Sequence, residues 1–463
     1  MNEILKAYEQ IIMYDNNNEL LKYRLEYKNI PIWPLIRCEI ICTCIDRKMG
    51  VESRSIPDDI ITEKGKIDEF IIRNPFFSVH KDVIYKESSY MPISNHNLMK
   101  PYVDLNSKSS VLVTNITKDK AQYTYNNWKL DSFIRRLAVR NNSGINKNDS
   151  RTAKNLIQYL LKTFPFEIDN KLCSSIFQNI ISYSKYLLNY TKIWKTYLTI
   201  VKPYLVVLWC ASYFGVDRVA MKLACNELNI PTAEIQHSVE LKKTSHAHYW
   251  GNQIVENKEC KSIFPDYFLT FGKYWNDKVN ISSQKIVVGT SRKYCIDTQK
   301  RIENILICLS TNYDKYLNLV LEVTDSIESD VKIYIRLHPE ENTNKNRSLF
   351  STYINNLKFE LANEEELQYY LKRCTYVISC GSTVIYEALT CGKIVFVPRD
   401  TLYDFYNLID IEDRIAVFST LDEFKQLWSK RKKMSMRAYN DFFNMDYKRL
   451  YGKFVQSIID IQR

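Results

Sequence analysis

Apolar positions along this chain follow two rhythms. Near the start, Leu5, Tyr8, Ile11 and Ile12 fall at helical spacing. Ile32 to Ile36 opens a further apolar segment, so residues 1–105 are expected to be a mainly helical accessory region. The stretch from 50 to 105 carries no periodicity of its own. From about 109 the rhythm changes. Short, nearly continuous apolar runs read as strands: Val111 to Asn115, Tyr204 to Trp209, Thr232 to Ile235, Tyr267 to Phe271 and Ile286 to Val288. Helical stretches lie between them, around 151–200 and from Val216 to Asn229. Runs of this kind belong to parallel strands covered on both faces.

The second half repeats the grammar. Ile305 to Leu309, Val331 to Leu337, Lys358 to Leu361, Tyr376 to Ser379 and Ile394 to Pro398 read as strands. The helix from Ser382 to Cys391 is stopped by Gly392, a common terminator. The fold class expected is therefore α/β, with two doubly wound Rossmann-like lobes facing a cleft in the arrangement called GT-B. The expected divisions are an accessory region at 1–105, a first lobe at 106–298, a second lobe at 299–420 and a basic helical segment at 421–463.

Composition narrows the class. The chain has 463 residues, 45% hydrophobic and 25% charged, which suits a soluble globular protein with sizeable cores. No apolar run approaches a membrane span, and the start lacks a basic segment followed by an apolar one, so a cytoplasmic location is expected. The 12 cysteines are scattered without paired CxxC spacing, which fits reduced thiols and gives no zinc motif. Net charge is +11, and Phe424 to Arg463 holds ten Lys or Arg against three Asp. The cluster Lys430-Arg431-Lys432-Lys433 reads either as a solvated helix face or as a patch for an anionic membrane surface. Nucleic acid is not an expected partner, because no recognised module accompanies the charge.

In doubly wound sheets ligands sit outside the carboxyl ends of the strands. His338-Pro339 follows one such end, and the proline stiffens the loop that carries the imidazole. Ser379-Cys380-Gly381-Ser382-Thr383 joins another strand to a helix, a junction whose free amides suit phosphate. Glu387, four residues on from Thr383, suits ribose hydroxyls. In the first half, Gln236 and His237 leave the strand at Thr232 to Ile235, and Asp217 opens the helix after Trp209. Lys118 and Lys120 follow the Val111 strand and suit an anionic acceptor. His237, His246 and His248 crowd together, but neither a helical spacing nor a carboxylate–cysteine set supports a metal site there.

These pieces resemble known proteins. Pro231 to Ser238, with Pro265-Asp266-Tyr267 through Phe271-Gly272, looks like the glutamine–histidine–glycine segment of bacterial capsule and lipopolysaccharide biosynthesis proteins, although Ser238 replaces the usual glycine. His338-Pro339 and Ser382-Thr383 with Glu387 resemble second-lobe motifs of polysialyltransferases, Kdo transferases and CDP-glycerol phosphotransferases. The resemblance spans roughly 200–400. It implies a metal-independent glycosyltransferase, using no cofactor, that moves a sugar from a nucleotide-activated donor to a growing surface polysaccharide or lipopolysaccharide, with a CMP-sugar favoured. It places the nucleotide phosphates at His338, Ser382 and Thr383; Pro339, Gly381 and Glu387 beside them complete the expected donor site. On that reading His237 is the base or acceptor-positioning group, Asp217 and Glu240 are its alternatives, and Gln236, Lys118 and Lys120 meet the acceptor. A CDP-polyol phosphotransferase, a nucleotide-sugar epimerase and a non-catalytic polysaccharide-binding protein remain alternatives. Peripheral contact with the inner membrane face is expected from the basic tail.

Overall fold

A computed structural model describes residues 3–48, 80–86, 101–106, 108–112, 137–138, 144–296, 301–309, 322–338, 359–379 and 381–463. The chain divides into two compact units. The first comprises 6–271, 275–291 and 446–463; the second comprises 1–5, 272–274 and 292–445.

The first unit is built on six parallel strands, β1 (Val83–Lys86), β2 (Ser109–Leu112), β3 (Leu205–Leu208), β4 (Thr232–Ile235), β5 (Tyr267–Thr270) and β6 (Gln284–Val287). Their order is β2-β1-β3-β4-β5-β6. The reversal between β1 and β3 is the kind of switch point beside which doubly wound sheets bind ligands. β1, β3 and β4 are buried throughout, as their apolar runs require. Helix Asn170–Val201 lays Ile176, Ile180, Leu187, Trp194 and Leu198 into the core, and its first turn is capped by Asp169, which accepts from the Leu172 amide.

The boundary expected at 105/106 does not appear. β1 lies inside the first sheet, and Trp33, Ile36 and Ile40 of helix Trp33–Lys48 pack in the same core as β3. The N-terminal segment is thus part of this unit. Its strand escaped the sequence reading because Val83–Lys86 is only four residues long and ends in a lysine. The C-terminal segment divides as well. Helix Tyr447–Gln462 belongs to the first unit, where the Tyr451 and Tyr85 hydroxyls meet at 2.7 Å.

The second unit carries β7 (Ile305–Cys308), β8 (Ile333–Arg336), β9 (Phe359–Leu361), β10 (Tyr376–Ser379), β11 (Ile394–Pro398) and β12 (Ala416–Phe418), again all parallel. The order β12-β11-β10-β7-β8-β9 is that of a dinucleotide-binding Rossmann sheet, with its switch point between β7 and β10. Both sheets agree with the α/β, doubly wound fold class expected.

Helix Leu421–Ser429 packs Phe424 and Trp428 into the second core. The basic cluster after it is not uniform. Arg431 is buried over the Trp428 ring and lies 3.1 Å from Glu328, while Lys430, Lys432 and Lys433 are exposed. Among the described residues no helix is long and apolar enough to cross a membrane. Lys118, Lys120 and Pro339 lie outside the described residues.

Candidate active site

The loops leaving β3 and β4 build a cluster of titratable groups in the first unit. Glu234 is the one charged residue inside β4, and it is fully buried. A carboxylate there must be paired or hydrogen-bonded. The turn after β3 supplies part of this: the backbone amide and hydroxyl of Ser212 both donate to Glu234 Oε2, at 3.1 and 2.6 Å. That turn is flanked by Cys210 and Phe214, both left-handed at φ 53° and 51°. Non-glycine residues in that conformation cost about 1–2 kcal/mol each, a strain that the surrounding contacts sustain.

His248 completes the arrangement. Its Nδ1 lies 3.0 Å from Glu240 Oε2 and its Nε2 lies 3.4 Å from Glu234 Oε1. Burial alone favours the neutral ring, but Glu240 and Glu234 outweigh it and carry the pKa up to about 10. His248 is therefore an imidazolium at neutral pH, with both nitrogens donating. Burial and the charge on His248 push His237 down to about 4. Burial, His248 and Arg37 push His246 down to about 3. Both are neutral rings at neutral pH. Tyr213 packs between the three histidines, with ring centroids 5.9, 5.3 and 6.4 Å from His237, His246 and His248.

Two polar atoms of this cluster are buried without a hydrogen-bond partner: Nδ1 of His237 and Oε1 of Glu240. Each such atom costs about 1–3 kcal/mol. His237 is half-buried as a residue, and Ser238 beside it is exposed. Its chemistry is a neutral imidazole and a carboxylate, each with an open position, beside a fixed imidazolium. Among the described residues no group of three or more His, Cys, Asp or Glu is arranged to hold a metal ion.

The structure thus unites His237 and Glu240 of the expected residues. It uses two others differently. Gln236 accepts from the Phe271 amide at 2.8 Å and donates to the Ser238 carbonyl at 2.7 Å. Its amide shapes the loop, with one donor and one acceptor bonded to backbone. Asp217 forms a buried ion pair with Lys86 at 2.8 Å, beside the β1/β3 switch point. That pairing makes Asp217 the counter-ion of Lys86. The sequence reading missed Glu234, Ser212 and the role of His248. A glutamate inside an otherwise strand-forming buried run was the available signal.

In the second unit, Gly381, Ser382 and Thr383 leave β10 at the β7/β10 switch point, and His338 follows β8. The Asn363 side chain clasps the Leu337 backbone, accepting from its amide and donating to its carbonyl, both at 2.9 Å, and so fixes where His338 begins. The helix expected from Ser382 to Cys391 is shorter, Val384–Thr390, and the Ser382 hydroxyl accepts from the Val384 amide at 3.3 Å. Seven residues give a weak dipole, so the hydroxyls and backbone of this loop matter more than the helix end. Glu387 is buried, and Arg292 holds its Oε1 at 2.9 Å. Burial raises its pKa and Arg292 opposes the rise. The Ser379 hydroxyl, at the end of β10, is buried without a partner.

No protein-family model matches the chain. No curated protein matches its sequence. Solved structures similar in fold include UDP-GlcNAc 2-epimerase from Neisseria meningitidis, at 13% identity and TM-score 0.42 over 82% of this chain and 99% of that one. The enzyme of the same name from Methanocaldococcus jannaschii aligns at 12% identity and TM-score 0.45 over 81% and 99%. A glycotransferase of kitacinnamycin aligns at 9% identity and TM-score 0.43 over 83% and 99%. The fold assignment made above rests on the two strand orders.

Proposed function

We propose that the protein is an enzyme of nucleotide-activated sugars, a glycosyltransferase that extends a cell-surface polysaccharide or lipopolysaccharide without a metal ion. The observation that carries this reading is the pair of buried, unpartnered atoms, His237 Nδ1 and Glu240 Oε1, in one cluster at the carboxyl ends of β3 and β4. An acceptor hydroxyl fills both positions. Its proton passes to Glu240, its oxygen bonds to the sugar's anomeric carbon, and the bond from that carbon to the leaving phosphate breaks with its electron pair. His237 orients the hydroxyl. It is the weaker candidate for the proton itself, because a second imidazolium would stand beside charged His248. The nucleotide reading is supported by the Rossmann strand order of the second unit and by Ser382, Thr383 and His338 at its strand ends. It is also supported by the resemblance of those motifs to second-lobe motifs of capsule enzymes.

A second reading shares the same groups. An epimerase needs one group to remove a proton from a sugar carbon and another to return it, and Glu240 with His237 or His248 supplies both. Thermal-shift titration with CMP, CDP, UDP and GDP identifies the nucleotide, since a ligand bound only by the folded state raises the melting temperature. Turnover of the matching nucleotide sugar is then followed with and without a glycan acceptor. Acceptor-dependent release of nucleotide supports transfer, acceptor-free isomerisation supports epimerisation, and binding of no nucleotide refutes both.

A further inference from the structure

The segment His246–Gly251 carries His248 yet forms only a turn and a single bridge, Tyr249 to Asn280. Something else must fix its backbone, because His248 reaches two carboxylates at once. Asn280 supplies part of this, its amide donating to the His248 carbonyl at 2.8 Å and its Nδ2 to the Trp250 carbonyl at 2.7 Å; the N-terminal helices supply the rest. Arg37, on helix Trp33–Lys48, is fully buried and spends its guanidinium on four acceptor contacts. Nε reaches Asp15 Oδ1 at 2.8 Å and Nη2 reaches Asp15 Oδ2 at 2.7 Å. Nη1 donates to the His246 carbonyl at 2.6 Å and Nη2 to the Tyr249 carbonyl at 2.9 Å. These two carbonyls bracket His248.

Asp15, the last residue of helix Glu3–Asp15, completes the bracket by accepting from the Gly251 amide at 3.0 Å and the Trp33 indole at 2.9 Å. The Arg37 guanidinium also stacks 4.1 Å from the centre of the Trp250 ring. Gly251 is required for this approach, since a Cβ there would meet Asp15 Cβ at 2.5 Å and the Ile12 carbonyl at 2.8 Å. Only a planar fork can serve a carboxylate and two carbonyls together; a lysine at this position offers a single point charge.

We infer that Arg37, paired with Asp15, is a positioning residue for the active site: it holds the His246–Gly251 backbone so that His248 stands between Glu234 and Glu240. The consequence for catalysis rests on the function proposed above; the geometric claim does not.

The protein has six histidines, so labelling with ring-15N histidine gives few signals. Glu234, Glu240, His237 and Tyr213 face His248, and in the wild-type protein its ring titrates near 10. In Arg37→Lys the midpoint is expected to fall by at least about one unit as the imidazolium leaves its carboxylates. Turnover of nucleotide sugar is expected to fall about a hundredfold with KM largely unchanged, the size of effect that a misplacement of about 1 Å can cause. Lys222→Met is the control. It breaks a half-buried contact, Lys222 to Asp266 at 2.8 Å, beside the amino end of β4. This control should leave the His248 midpoint in place. If Arg37→Lys does not fold, Asp15→Asn, which keeps the shape and weakens the bracket, gives the same readout. An unchanged midpoint in a folded variant overturns the inference, as does an equal fall in Lys222→Met. If the wild-type protein turns over no nucleotide sugar, the proposed function fails, while the titration still decides the role of Arg37.

Discussion

His248 Nδ1 lies 3.0 Å from Glu240 Oε2, eight residues upstream, and that contact makes a buried imidazole a permanent cation at neutral pH. It also determines how stability depends on pH. The folded pKa of His248, about 10, lies above its ordinary value of 6.5. Its contribution is fully present below about 6.5 and is lost as pH rises through about 10. His237 and His246 behave oppositely, with folded values near 4 and 3, so stability falls as pH drops below 6.5 towards those values. Urea unfolding across pH should therefore show a maximum near 6.5 with losses on both sides. His248→Gln should flatten the alkaline limb and shrink the acid limb without abolishing it, because burial, the larger cause of the His237 and His246 shifts, remains. An alkaline limb of wild-type slope in that variant would contradict the pairing.

Glu240→Gln keeps the hydrogen-bonding shape but removes the carboxylate charge. Turnover should drop on the order of a hundredfold or more, as expected for loss of a general base. Nucleotide affinity should hold, because the motifs assigned to the nucleotide lie in the other unit. The comparison of turnover with calorimetric affinity checks both halves. Loss of nucleotide binding in Glu240→Gln would place the nucleotide in the wrong unit.

Asp217→Asn tests the reassignment of that residue. Leaving Lys86 buried without its counter-charge should cost about 3–5 kcal/mol, seen as a lower urea midpoint. Replacing both partners with apolar residues should recover much of that loss. Activity per folded molecule should stay near wild type in either case. A hundredfold loss of activity without loss of stability would restore Asp217 as a catalytic base.

His338→Ala should reduce turnover about a hundredfold, a typical size for losing one donor that stabilises developing charge. The strand end itself should persist, since Asn363 holds the Leu337 backbone on both sides. Circular dichroism and steady-state kinetics together decide it, and full activity in the folded variant would remove His338 from the donor site.

The basic cluster separates into two experiments. Replacing Lys430, Lys432 and Lys433 with Gln should weaken binding to vesicles containing anionic lipid, with each exposed charge contributing about 1 kcal/mol, and should leave the melting temperature unchanged. Arg431→Gln should instead lower stability by about 1–2 kcal/mol, a figure kept small because its partner Glu328 is half exposed. Equal binding of wild type and triple variant to anionic and neutral vesicles would leave these lysines as solvated surface.

Both Rossmann-like sheets were legible in the sequence, because buried parallel strands must be nearly continuous apolar runs and Ile305 to Leu309 or Tyr204 to Trp209 can be little else. The loops at the strand ends were legible for the same reason: His237, Ser382, Thr383 and His338 each follow such a run. Pairing was not. Whether a carboxylate is a base or a counter-ion depends on what approaches it from distant sequence, so Asp217 was indistinguishable from Glu240 until Lys86 came to one and His248 to the other. Likewise, four adjacent basic residues look equivalent on the chain, and only packing against Trp428 withdrew Arg431 from solvent. The N-terminal helices gave the clearest case. Local periodicity predicts that they form, but only tertiary structure brings Arg37 to the carbonyls of His246 and Tyr249, some two hundred residues away. Periodicity records which face of an element is buried; it holds no information about which partner does the burying.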